Sequence, residues 1–156
     1  MGRTGIRTVF CSMKKLNHKK IEESAIIELF RDQYTDFPKG LLYASESPDF
    51  ILSLGIRKKI GVEITRLHHK ISGSDPYSFE NISACLLLKE EKLGLYKKKK
   101  LQEYWLIIFV RDPAYKPRYN LSNKLLVWEF ETNYNKVFIF NAMEGNVFEL
   151  QKKPQG

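Results

Sequence analysis

Apolar residues recur along this chain with two different periods, and the change of period marks its elements. From about Asn17 to Gln33, Ile21, Ala25, Ile26, Leu29 and Phe30 fall at helical spacing, which predicts a first helix with Asn17 as its N-cap. The pattern breaks at Pro38 and Gly40. Residues 1–14 read as a loose lead-in or a short strand around Thr8–Cys11. Leu41–Ala44 is a candidate strand and Asp49–Leu54 a clearer one. Gly55–Lys58 is a turn, and Ile60–Leu67, rich in β-branched residues, is the return strand.

A second helix is expected to open at Ser74-Asp75-Pro76, with Asp75 capping and Pro76 at the first helical position, and to run to about Lys99. Tyr104–Val110 is apolar at every position, as a strand covered on both faces must be. Arg111–Asn123, with two prolines, reads as a loop. Leu125–Glu131 and Lys136–Asn141 read as a terminal hairpin. The expected fold class is therefore α+β, a mixed sheet with helices packed against it, in one domain spanning residues 1–156.

Composition fits this picture. The 156 residues are 43% hydrophobic and 28% charged, enough apolar material for one core and too little charge for global disorder. No leader peptide is visible, and no apolar run approaches the roughly 20 residues that span a bilayer, so the expected location is the cytoplasm and no membrane partner is expected. The formal net charge of +8 favours a polyanionic partner, nucleic acid first. Cys11 and Cys85 lack metal-ligand spacing, and Cys85, among Ala84 and Leu86–Leu88, reads as a small buried hydrophobe. His68 and His69 read as a solvated loop.

Candidate chemistry lies in two carboxylates with thirteen residues between them, in SESPDF and GVEIT. Asp49 starts one strand and Glu63 stands within its partner. On that partner Ile60, Val62 and Ile64 point one way, and Gly61, Glu63 and Thr65 the other. An acid within an apolar strand either faces solvent or, buried, needs a partner or a cation. Two such acids meeting near a sheet edge can hold a hard divalent cation. On helix one, Glu22 sits amid the stripe, with Ala25, Ile26 and Leu29 three, four and seven residues on, while Glu23 lies at its edge. On helix two, Ile82, Leu86, Lys89, Leu93 and Tyr96 share a stripe centred on Lys89, with Lys92 at the margin. An ammonium there either snorkels or reaches the acids. The basic run Lys97–Lys100 either contacts phosphates or complements a helix C-terminus, and Arg57 and Arg66 flank the presumed site.

Pro48-Asp49-Phe50 followed by Gly61-Val62-Glu63-Ile64-Thr65, between an upstream helix acid and a downstream helix, resembles the PD-(D/E)xK nuclease superfamily. The resemblance covers roughly residues 17–110 as a restriction-endonuclease-like α-β-β-β-α-β core, followed here by a C-terminal hairpin. It implies a metal-dependent endonuclease that hydrolyses phosphodiester bonds, of DNA rather than RNA, using magnesium, with manganese as a substitute. Asp49 and Glu63 would then bind the metal and Glu22 support it. The family's lysine position is occupied here by Thr65. Branches with threonine there carry the lysine on the next helix, which maps to Lys89 in the run Ile82-x6-Lys89-x2-Lys92-x3-Tyr96. The rival expectation is a catalytically inactive nucleic-acid-binding or protein-interaction module on the same fold. A lone domain of this size is also a candidate homodimer when it cuts duplexes.

Overall fold

The structure, a computed structural model, describes residues 3–69, 75–113 and 121–154, with side chains from residue 18 onward. Helix α1 runs from Arg3 to Gln33. It passes straight through Asn17, which is therefore an interior residue and not a cap, and it replaces the lead-in or strand expected near Thr8–Cys11. No proline interrupts residues 3–33, so nothing stops the helix from extending backward. The buried stripe of α1 is Glu23, Ile26, Ile27 and Phe30, whereas Ile21 and Leu29 are exposed. The helix is thus rotated relative to the expected face.

Strands β1 (Leu41–Ala44), β2 (Phe50–Ser53) and β3 (Lys59–Arg66) follow, then helix α2 (Phe79–Tyr96), a 3-10 turn over Lys97–Lys99, and β4 (Glu103–Val110). The N-cap of α2 is Ser78, whose side chain accepts a hydrogen bond from the Asn81 amide. Asp75 instead closes the turn before it, accepting from the Tyr77 amide at 2.9 Å. The expected opening at Ser74 lies outside the described residues. Asn81 is fully buried and donates to the carbonyls of His68 and Pro76, both at 2.8 Å, which ties the exit of β3 to the start of α2.

The C-terminal part differs from expectation. Leu121–Val127 is a short helix, α3, with Leu121 and Leu125 buried one turn apart and Leu126 and Val127 exposed. The segment Leu125–Glu131 is therefore not one arm of a hairpin. A run of consecutive apolar residues fits either period, and burial of an i, i+4 pair decides for helix. Strand β5 (Glu129–Phe130) pairs in parallel with β8 (Gln151–Lys152) in a small separate sheet. Strand β6 (Lys136–Asn141) joins the main sheet and turns back into β7 (Asn146–Glu149), so the hairpin at this end is β6–β7. Asn141 builds the turn by accepting from the Met143 and Glu144 amides, and Gly145 takes a positive φ of 77°.

The main sheet has six strands in the order β1-β2-β3-β4-β6-β7. β1, β2 and β3 are antiparallel neighbours, while β3, β4 and β6 run parallel. This is a mixed α+β architecture flanked by helices. Trp105, Ile107 and Phe109 of β4 pack with Ile26, Ile27 and Phe30 of α1, and Leu106, Ile108 and Val110 pack on the opposite face with Ile82, Leu86 and Leu93 of α2. Both faces of β4 are thus buried, as its unbroken apolar run requires. Phe30 is wholly buried, with the rings of Tyr34, Phe138 and Phe140 at 5.3, 5.0 and 5.5 Å. No helix of the described residues is long and apolar enough to cross a membrane.

Candidate functional site

The site begins where β2 stops pairing with β3. The ladder runs from Ser53↔Lys59 to Phe50↔Val62. The next free amide of β3, that of Ile64, donates to Asp49 Oδ2 at 2.9 Å instead of to main chain. Asp49 is thus fixed by its own side chain to the strand that carries Glu63. The loop between β1 and β2 is closed by the Ser45 amide donating to the Asp49 carbonyl at 2.8 Å. Lys20 of α1 clamps it further, donating to the Ser45 carbonyl at 2.7 Å and to the Asp49 carbonyl at 3.1 Å. Its ammonium also lies 5.0 Å from the Phe50 ring centroid. Lys99, beyond α2, donates to Ser45 Oγ at 3.1 Å.

Glu63 is 4% exposed, on the α2 side of β3 between Gly61 and Thr65. Burial pushes its carboxyl up to about 8, helped by a hydrogen bond with Asp49 and by the Asp49 charge. A hydrogen bond with Tyr96 and the positive charge of Lys89 act the other way. Lys89 Nζ is 4.0 Å from Glu63 Oε1, with its side chain 16% exposed. Burial lowers the Lys89 ammonium from its ordinary value, against the pull of Glu63 and Asp49. Tyr96, two turns further along α2, has its hydroxyl raised by burial and by its bond to Glu63. The Tyr134 hydroxyl donates to the Lys89 carbonyl at 3.1 Å, and the Tyr104 hydroxyl to that of Tyr96 at 3.0 Å, which anchors both stations of α2.

Comparisons with protein-family models, curated proteins and solved structures return no match.

Of the four site residues expected from sequence, Asp49, Glu63 and Lys89 are brought together. Glu22 is not with them. Both its carboxylate oxygens accept from Arg66 Nη2 at 2.8 Å, and Arg111 Nη1 approaches at 3.4 Å, in an exposed cluster. Glu23, 5% exposed, is the helix-one acid that feels Asp49. Burial first, then the Asp49 charge, raises its carboxyl, while Lys20 at 3.5 Å and Lys19 at 3.9 Å lower it. Arg66 is occupied by Glu22 and by the Phe109 ring, 5.5 Å away. Lys92 is exposed. Sequence reasoning missed Lys20, whose only signal is its place one turn before Glu23, and missed that Tyr96 bonds to Glu63.

Among the described residues, no group of three or more His, Cys, Asp or Glu side chains is arranged to hold a metal ion. Magnesium does not need three. It binds through one or two carboxylates and completes its shell with water and phosphate oxygens. Asp49 and Glu63 are such a pair of hard oxygen donors. Burial first and the neighbouring Asp49 second make a negative charge on Glu63 costly, and a bound cation would offset that cost, so the residues fit the ion.

Proposed function

We propose that the protein is a metal-dependent nuclease of the PD-(D/E)xK type, with a restriction-endonuclease-like core, that hydrolyses phosphodiester bonds of DNA. The observation that carries this reading is the convergence of Asp49, Glu63 and Lys89, an acid pair at the end of a broken strand ladder facing a half-buried ammonium. The element order α1-β1-β2-β3-α2-β4 supports it.

Asp49 and Glu63 would hold magnesium or manganese. When bound, the ion supplies Lewis-acid polarisation of the phosphoryl oxygens and makes water acidic enough to attack near neutral pH. Lys89 offers a cation to the phosphate, and its lowered affinity for a proton suits it to exchange one with water. Tyr96 holds the Glu63 carboxyl in place by its hydrogen bond, and Lys20 holds the main chain of Asp49. Glu23, in place of Glu22, is the outer acid behind Asp49.

The test is nicking of supercoiled plasmid with magnesium or with EDTA, comparing the native protein with Asp49→Asn and Glu63→Gln. Magnesium-dependent cleavage that disappears in both variants is expected. Cleavage that is absent under broad conditions, or unchanged in the variants, overturns the reading. Salt-sensitive DNA binding without cleavage would then favour the rival, a non-catalytic binding module, to which Thr65 in the lysine position already points.

A further inference from the structure

A groove lies on the same face of the sheet as the acid pair. Tyr43 of β1 pairs with Ile51 of β2, which pairs with Gly61 of β3. Ile51 and Gly61 are each two residues from Asp49 and Glu63, so this row shares their face and lies about 7 Å along the strands. Here a groove of about 710 Å³ is lined by Tyr43, Ile51, Arg57, Lys59, Lys99 and Lys100 among others, and no described residue lining it is acidic. Arg57, Lys59 and Lys100 make no ion pair among the described residues, whereas nearby Lys58 is taken by Glu103 at 3.5 Å.

The groove is built on fixed backbone. The Lys59 amide donates to Gln102 Oε1 at 2.6 Å, and the Gln102 amide to the Lys59 carbonyl at 3.0 Å, locking the start of β3 to the segment before β4. Lys99 bridges the groove to the Asp49 loop through Ser45. Lys100 ends the 3-10 turn in the left-handed region, at φ 54° and ψ 43°. Glycine is the residue that takes this conformation without strain. A lysine there keeps an ammonium on the groove at a conformational cost.

We propose that this groove takes the phosphates of an unpaired nucleic-acid strand and leads it to the acid pair, with Tyr43 stacking on a base. Four cations without a competing acid fit a phosphodiester backbone, and an aromatic ring among them fits an exposed base, which a duplex keeps stacked inside. The inference rests on the nuclease reading for what happens at the acids, but not for binding.

The probe is a fluorescein-labelled oligothymidylate, titrated in EDTA over a range of salt concentrations so that no cleavage intervenes. Lys100→Gly relieves the left-handed lysine, so its melting temperature should hold or rise while its affinity falls. Arg57→Gln with Lys100→Gly should flatten the slope of log affinity against log salt by about 0.7 for each phosphate that the protein no longer neutralises. Tyr43→Ala should weaken binding about tenfold. A blunt duplex of equal length should bind less tightly than the single strand. Folded variants with unchanged affinity and slope overturn the proposal, as does tighter binding of the duplex or of phosphatidylserine vesicles. If plasmid cleavage requires Asp49 yet the groove variants bind as the native protein does, the groove fails and the nuclease stands. If cleavage is absent but the groove variants no longer hold the oligonucleotide, the reverse applies.

Discussion

Lys89 Nζ stands 4.0 Å from Glu63 Oε1, yet the Glu63 carboxyl is still pushed up to about 8, because burial and Asp49 outweigh the ammonium. This fixes the sign of a pH effect. In the unfolded chain the group titrates at its ordinary value of 4.5. Its contribution to stability is therefore fully present below that value. It is lost as pH rises to about 8, where the unfolded chain is ionised and the folded one still holds the proton. In EDTA the free energy of unfolding, measured in urea, should fall between pH 5 and 8 by an amount on the order of a few kcal/mol. Glu63→Gln should flatten that slope. Magnesium at pH 8 should restore stability to the native protein and not to the variant. A native profile that rises with pH over this window would show that Glu63 is ionised in the fold.

Asp49 has two duties, and two substitutions separate them. Its Oδ2 takes the Ile64 amide, and its charge lies beside Glu63. Asp49→Asn keeps an acceptor for that amide and removes the charge, so the fold should stay within about 1 kcal/mol of native while cleavage falls by several kcal/mol of barrier, about a thousandfold. Asp49→Ala also orphans the Ile64 amide and should unfold earlier by about 1–3 kcal/mol. Equal stability of the two variants would mean that the Ile64 hydrogen bond contributes nothing.

The acids of α1 offer a direct comparison. Glu22 sits in an exposed ion cluster with Arg66 and Arg111, and such pairs contribute about 0–1 kcal/mol. Glu22→Gln should leave plasmid cleavage within about twofold of native. Glu23→Gln leaves Lys20 without its carboxylate while Lys20 still holds the Asp49 loop. It should lower cleavage about tenfold or more, in the range of losses seen when a group supporting a metal ligand is removed. The opposite ranking would restore Glu22 as the supporting acid.

Asp49, Glu63 and the stripe around Lys89 were legible in the sequence because each depends on local spacing, an acid in an apolar strand and a lysine in an apolar helix face. The phase of α1 was not, since Ile21, Ile26, Ile27, Leu29 and Phe30 span more than one face and only the sheet beneath selects Ile26, Ile27 and Phe30. A rotation of the helix by one residue step, about 100°, exchanges Glu22 for Glu23. The central strand β4 was plain from its unbroken apolar run. The tail was not, because Leu121–Phe130 pairs a helical turn with a two-residue strand whose partner, β8, lies some twenty residues on. Pairing at that distance leaves no local pattern.

Gly61 ties the fold to the site. A Cβ built there would lie 2.8 Å from both Leu101 Cδ1 and Pro48 Cγ, and 3.2 Å from Tyr104 Cδ1. Leu101 can swing away, since its methyl ends a flexible chain. Pro48 cannot, because its ring is rigid and its neighbour Asp49 is held by Ile64 and Lys20. Gly61→Ala should therefore destabilise by about 1–3 kcal/mol, a loss of several degrees in melting temperature. It should also reduce cleavage beyond what the unfolded fraction explains, because relief comes by moving the loop that carries Asp49. Adding Leu101→Ala removes one of the two close approaches and leaves the other, so it should recover part of the stability and little of the activity. Full recovery of both would place the clash on Leu101 alone and free Pro48 from any part in setting the acid pair.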